Sequence, residues 1–336
     1  MSEHPRPYTR EVTQVQRVGT LEDLDARASE LRTGFLAGLA AYLMWGAFPL
    51  YFPLLEPAGA IELLAHRVLW SAVTMLLLLV VLRRVGHLRA ILRSRRTVGL
   101  LLVAAAVIAV NWGTFIWATT NGRVIETSLG YFINPLVTVV IGVVVLSERL
   151  RGLQWAALGL AAGAVLLLTL DYGRPPWVAL VLACSFGTYG LAKKKAGVGA
   201  VEGLTFESFA LTPLAGAYVG WLVVTGASQF GGHGVAHALL LASAGLVTAV
   251  PLLCFGAAAT RVPLVTIGLL QYVTPTCQFL LGLLVFDEAM PTGRWVGFSL
   301  VWLALVLLSV EMVTHPARER RRARRRTAAG VAPPCG

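Results

Sequence analysis

Three ionisable residues stand close together in a stretch that is otherwise almost entirely apolar: Glu62, His66 and Arg67, within IELLAHRVLWS from Ile61. Glu62 and His66 are four residues apart, so on a helix they share a face, where a carboxylate and an imidazole can meet and share a proton. Arg67 falls roughly 10 Å along that helix from its outer end, at about 1.5 Å per residue. Ionisable groups at such depth in a membrane cost several kcal/mol unless they face a cavity or a partner. The trio is therefore the first candidate for solute binding or proton coupling. The competing reading has Glu62 and Arg67 reaching to the interface or pairing with each other for structure alone.

Further polar residues recur at similar depth: Asn111 beside Trp112, Asn134 before Pro135, and Gln271 and Tyr272 ahead of Thr274 and Pro275. A proline inside a helix removes an N–H and frees the carbonyl four residues back, so Pro135 and Pro275 are hinge candidates that can leave backbone groups facing a cavity. Trp45, Tyr42, Trp112, Trp117 and Tyr131 could stack on a planar ligand, although interfacial belts account for many membrane Trp and Tyr residues. Asn and Gln can equally bridge neighbouring helices.

The elements that must hold these residues follow from composition. Of 336 residues 57% are hydrophobic and 13% charged, well outside the range of soluble domains. The apolar residues fall in blocks of about 20, the length that crosses about 30 Å of hydrocarbon. The blocks predict an all-α polytopic membrane protein of about ten transmembrane helices, near Gly34–Leu54, Ala60–Leu82, Gly99–Thr119, Ile125–Leu146, Leu153–Leu170, Trp177–Ala192, Phe206–Thr225, Ala236–Thr260, Pro263–Phe286 and Trp295–Met312. The alternating ten-residue pattern of a membrane barrel is absent from the sequence. Residues 1–33 are polar without the apolar core of a signal peptide, which predicts that the first helix is its own insertion signal.

Lys and Arg are distributed unevenly between alternate loops. One set holds Arg83, Arg84, Arg89, Arg93, Arg95, Arg96, Arg149, Arg151, Lys193, Lys194, Lys195 and Arg261, the other only Arg123, Arg174 and Arg294. The positive-inside rule then predicts both termini in the cytoplasm of a plasma-membrane (bacterial inner-membrane) protein. The net charge of +11 is on this reading mostly an orientation signal. The basic tail, within residues 313–336, predicts contact with anionic lipid and not with nucleic acid.

The chain also matches itself at a fixed offset. Gly59, Ala60 and Glu62 fall on Gly199, Ala200 and Glu202; Pro135, Gly142, Glu148 and Trp155 fall on Pro275, Gly282, Glu288 and Trp295. Five helices is an odd number, so two such halves, 34–174 and 175–312, would enter the membrane from opposite sides. Inverted repeats of this kind suit alternating access around a site near the midplane.

The sequence contains no P-loop, HExxH, GxSxG or kinase motif, so no cofactor, metal site or familiar hydrolase is expected and energy must come from a gradient or not at all. A proton carried by Glu62 and His66 is one candidate, with export as the direction; a unit charge crossing 100 mV is worth about 2.3 kcal/mol. Cys184, Cys254, Cys277 and Cys335 form no CxxC pair, and no disulfide framework is expected. The expected partners are a small-molecule substrate, membrane lipid, a coupling proton and a second copy of the chain. An intramembrane enzyme using Glu62 and His66, and a membrane scaffold or receptor, are the alternatives.

The segments YLMWGAFPLYFPLL from Tyr42, IELLAHRVLWS from Ile61, NWGTFIWA from Asn111 and GRVIETSLGYFINPLV from Gly122 together resemble the RarD family, in the EamA-type branch of the drug/metabolite transporters. The likeness runs from about Gly34 to Met312 and in the second half rests mainly on QYVTPT from Gln271 and the Glu288 region. It implies a ten-helix inverted-repeat carrier and no enzyme activity. Members carry a label of chloramphenicol sensitivity, which does not identify a substrate.

Overall fold

The computed structural model describes residues 21–146 and 152–328, and the regular elements among them are helical. Glu148, Arg149 and Arg151 lie outside the described residues, as does the segment 1–20. The first apolar block is not one straight helix. It runs as α1 (Leu21–Gly46), then after Ala47 as a short α2 (Phe48–Tyr51) and a 3₁₀ turn (Phe52–Leu55), the two parts meeting at 43°. Pro49 and Pro53 occupy the opening positions of these pieces, where the missing N–H has no helical partner to lose.

Next come α3 (Ala60–Val81), α4 (Val85–Arg93), α5 (Arg95–Thr120), α6 (Val124–Leu146) and α7 (Gly152–Tyr172). The second half holds α8 (Trp177–Ala196), α9 (Ala200–Val224), α10 (Gly234–Ala259), α11 (Leu264–Leu270), α12 (Val273–Leu284) and α13 (Thr292–Ala328). The stretch between the second and third expected spans, read as a loop, contains α4, and its six arginines are exposed. The ninth expected span is broken at Gln271 and Tyr272, directly ahead of Pro275, whereas α6 continues through Pro135.

Among the described residues eight helices are long and apolar enough to cross a membrane, or nine when the bent α1–α2 pair counts as one span. That is fewer than the ten expected. The block not counted is α8, whose last turn is Lys193, Lys194 and Lys195, so its apolar stretch falls short on composition.

The helices pack in a regular set of pairs: α1 on α10, α5 on α8, α3 on α9 and α10, α6 on α8 and α12, and α7 on α13. Close crossings need small residues. A Cβ at Gly130 of α6 would meet the Ala179 carbonyl oxygen and the Leu182 Cβ of α8 at 2.9 Å, so Gly is what lets these backbones approach. Large apolar side chains such as Leu77, Val81, Leu166, Leu170 and Val224 point away from the bundle. In water such a surface would be costly, and in hydrocarbon it is the expected exterior.

Candidate substrate site

The trio flagged in the sequence divides between two environments. Glu62 sits in the first turn of α3, where the helix dipole favours a carboxylate. It accepts the Gln229 backbone N–H at 2.8 Å and the Ser228 hydroxyl at 3.2 Å. His66, one turn on, has Nε2 at 3.9 Å from a Glu62 oxygen and no hydrogen-bond partner for that atom, and its ring stacks on Phe230 at 4.9 Å. Together Glu62 and His66 fasten the segment Ser228–Phe230, between α9 and α10, over the start of α3.

Arg67 does not join them. Five residues at 100° each place it about 140° around the helix from Glu62, so the Glu62–Arg67 pair of the competing reading does not form. Arg67 instead enters the space between α3, α5, α10 and the α2–3₁₀ bend, where the whole residue is 5% exposed. Its guanidinium lies over the Trp112 ring at 4.2 Å, with the Phe48 and Phe52 rings at 5.4 and 5.8 Å. Nε donates to Thr248 Oγ1 at 3.1 Å, and that hydroxyl in turn donates to the Ala244 carbonyl. Among the described residues no carboxylate pairs with Arg67, and its two terminal nitrogens have no hydrogen-bond acceptor. A desolvated cation over an aromatic face gains about 2 kcal/mol, while taking the charge out of water costs several. The cage therefore offsets only part of the cost.

The other candidates divide between the surroundings of this cage and places apart from it. Asn111 donates to the Leu182 carbonyl and to Ser185 Oγ, both at 3.0 Å, and accepts from the Tyr131 hydroxyl at 3.3 Å. This amide ties α5, α6 and α8 together directly behind Trp112. Trp45 and Tyr131 pack into the same apolar cluster as Phe48 and Phe52. Asn134 is buried on α6 with its side-chain oxygen unpartnered, and Gln271 is half-buried at the α11–α12 break. Tyr272 packs instead into the separate cluster that contains Phe279 and Phe298. Around Pro275 the helices that carry the two hinge candidates touch, since Ser128 of α6 donates to the Pro275 carbonyl at 2.9 Å; Pro213 and Pro251, also inside helices, were not singled out in the sequence.

Several buried polar groups were missed in the sequence. Thr248 has no local signal, because it meets Arg67 across 181 positions of chain. Gln278, almost fully buried, donates weakly to the Trp45 carbonyl and leaves its own oxygen unpartnered. At one end of the bundle Glu126 accepts from Arg174 at 3.0 Å and from the Val178 N–H at 3.2 Å, and Arg294 pairs with Asp171 at 3.1 Å. The Glu288 carboxylate accepts the N–H groups of Val124 and Ile125, capping α6, although burial pushes its carboxyl up from the usual range. At the other end Lys193 pairs with Glu207 at 2.8 Å, Tyr189 donates to the same carboxylate at 3.1 Å, and Arg84 meets Glu202 at 3.2 Å.

Comparison with known proteins gives this arrangement a context. The profile of the EamA-like transporter family matches residues 32–170. The protein RarD of Streptomyces exfoliatus is 57% identical over 88% of this chain and 93% of its own length. RarD of Escherichia coli K12 is 41% identical over 85% of this chain and 97% of its own. A Pseudomonas aeruginosa protein named as an uncharacterized transporter is 42% identical over 84% of this chain and 95% of its own. A crystal structure described only as that of a protein shares the fold, with a TM-score of 0.54 at 18% identity over 82% of this chain and 96% of that one. The chain is thus a multi-span helical membrane protein that belongs to the RarD proteins of the EamA-like transporter family.

Proposed function

We propose that this chain is a secondary transporter that carries a small metabolite or drug-like solute across the plasma membrane by alternating access, with the Arg67 cage as its central binding site. The observation that carries the reading is Arg67 itself, a buried cation held by Trp112, Phe48, Phe52 and Thr248 with no protein counter-charge among the described residues. A structural arginine at this depth would be expected to be paired.

Two inverted five-helix repeats, 34–174 and 175–312, and ten spans with α8 as the sixth belong to this proposal. The packing supports it. Under the sequence offset α1 corresponds to α8 and α5 to α10, so the α1–α10 and α5–α8 pairs are equivalent, while α3–α9 and α7–α13 are each self-equivalent. The Lys and Arg distribution supports cytoplasmic termini. The Glu62–His66 pair serves as the proton-handling element on the outer side, where its contact with Ser228–Phe230 couples protonation to closure over α3. The helices that carry Pro135 and Pro275, α6 and α12, pack against each other and serve in this proposal as the hinge elements. Purified protein in proteoliposomes loaded with a defined metabolite mixture tests the function. Solute movement that requires the protein and falls in Arg67→Gln at equal membrane abundance is expected; no protein-dependent movement of any component overturns the proposal.

A further inference from the structure

The two terminal nitrogens of Arg67 have no carboxylate beside them among the described residues, and the contacts that hold the rest of the guanidinium say what would complement them. The guanidinium is fixed on one face by Trp112 and at Nε by Thr248, so its free edge is the one formed by both terminal nitrogens. Two parallel N–H donors on a planar edge match the two oxygens of a carboxylate, and they pair far less well with a neutral amide and repel an ammonium. Tyr51 and Tyr131 are the titratable groups close enough to feel the charge of Arg67. Their hydroxyls are already committed, Tyr51 to the Leu240 carbonyl and Ser243, and Tyr131 to Asn111. Neither supplies a negative charge at neutral pH.

Beside the cage runs an open groove of about 330 Å³ between the α1–α2 bend and α10, lined by Met44, Phe48, Tyr51, Val247, Val250 and Pro251 among others. Its volume is at the lower end of the range for small-molecule sites, and its lining is almost wholly apolar. Phe48 is shared: it lines the groove and also faces the guanidinium. Thr248, the residue that positions Arg67, follows Val247 of the groove wall. Phe48 makes the groove and the guanidinium neighbours, so a charged head at Arg67 and an apolar body in the groove are compatible demands on one ligand.

Resting on the transport reading above, we infer that the solute is an amphipathic organic monoanion, a carboxylate on an apolar body, whose head pairs with the free edge of Arg67. The charge match excludes cations of the same shape, and the groove disfavours small hydrophilic anions, which gain nothing from apolar walls.

The test uses the full chain in detergent with 2-naphthoate as the probe and 2-naphthamide as its neutral counterpart, followed by calorimetric titration and thermal unfolding. The carboxylate is expected to bind the parent protein about tenfold or more tightly than the amide, the margin of a charge-assisted pair. Arg67→Gln should lose that margin and Arg67→Lys should keep part of it. Equal binding of the two probes to the parent protein overturns the inference and needs no variant to be folded. So does undiminished naphthoate binding in Arg67→Gln, or no naphthoate binding at all. Failure of the transport reading looks different: naphthoate binds in an Arg67-dependent way while proteoliposomes move no solute. Solute movement that is indifferent to Arg67→Gln leaves transport standing and removes the anion site.

Discussion

Removing the carboxylate at Glu62 should release the segment Ser228–Phe230 from α3, and the size of the effect can be worked from the contacts. Glu62 accepts one backbone N–H at 2.8 Å and one hydroxyl at 3.2 Å, both part-buried. A hydrogen bond to a charged group contributes about 1.5–3 kcal/mol, and Gln229 is half-buried, which favours the lower part of that range. Loss of the negative charge from the first turn of α3 adds about 0.3–1 kcal/mol through the helix dipole. Glu62→Ala should thus cost about 3–4 kcal/mol of local stability, or roughly 150–900-fold in opening. Glu62→Gln keeps an acceptor and loses only the charge, so about 1 kcal/mol and about fivefold is expected. Hydrogen exchange of the Gln229 amide in lipid nanodiscs reads the opening directly. Unchanged protection in Glu62→Ala would refute the reasoning, as would a Glu62→Gln effect as large as that of Glu62→Ala.

Three further outcomes follow from other contacts. Lys193→Met leaves Glu207, whose side chain is 1% exposed, without its cation; the variant should lose about 2–3 kcal/mol in unfolding titrations, and Lys193→Met with Glu207→Met should recover most of it. Gly130→Ala places a Cβ at 2.9 Å from the α8 backbone and should cost about 1–3 kcal/mol, read as a lower unfolding temperature, whereas the same change at Gly159, where open space surrounds the added atom, should be near neutral. Reporter fusions at Met1 and Gly336 should both report a cytoplasmic location, and an external reading at either end would reverse the orientation drawn from the loop charges.

Much of the helical layout was legible in the sequence because hydropathy acts locally. The second block, Ala60–Leu82, matches α3 to within a residue, and the third differs from α5 mainly where α5 extends into Arg95 and Arg96. The seventh expected span begins at Ala200 and not at Phe206, since Glu202 reads as polar loop until Arg84 is seen to pair with it. The bend after Gly46 was signalled by Pro49 and Pro53 but lost inside a single apolar block. Arg67 was legible as a candidate from its depth alone. Its partners were not, because Phe48, Trp112 and Thr248 reach it from three other elements. The Glu62–Arg67 pairing failed for a geometric reason already contained in the helix period, which puts five-residue neighbours on different faces.

The central claim is that the space beside Arg67 opens to each side of the membrane in turn, and accessibility measures this without knowing the solute. With Cys184, Cys254, Cys277 and Cys335 replaced, a single cysteine at Thr248→Cys can be treated with a membrane-impermeant thiol reagent in right-side-out and inside-out vesicles. Alternating access predicts labelling from both sides, each fraction lowered when the opposite-facing form is favoured. Labelling from one side only, or from neither, would contradict a carrier and leave Arg67 at the bottom of a one-sided or closed pocket.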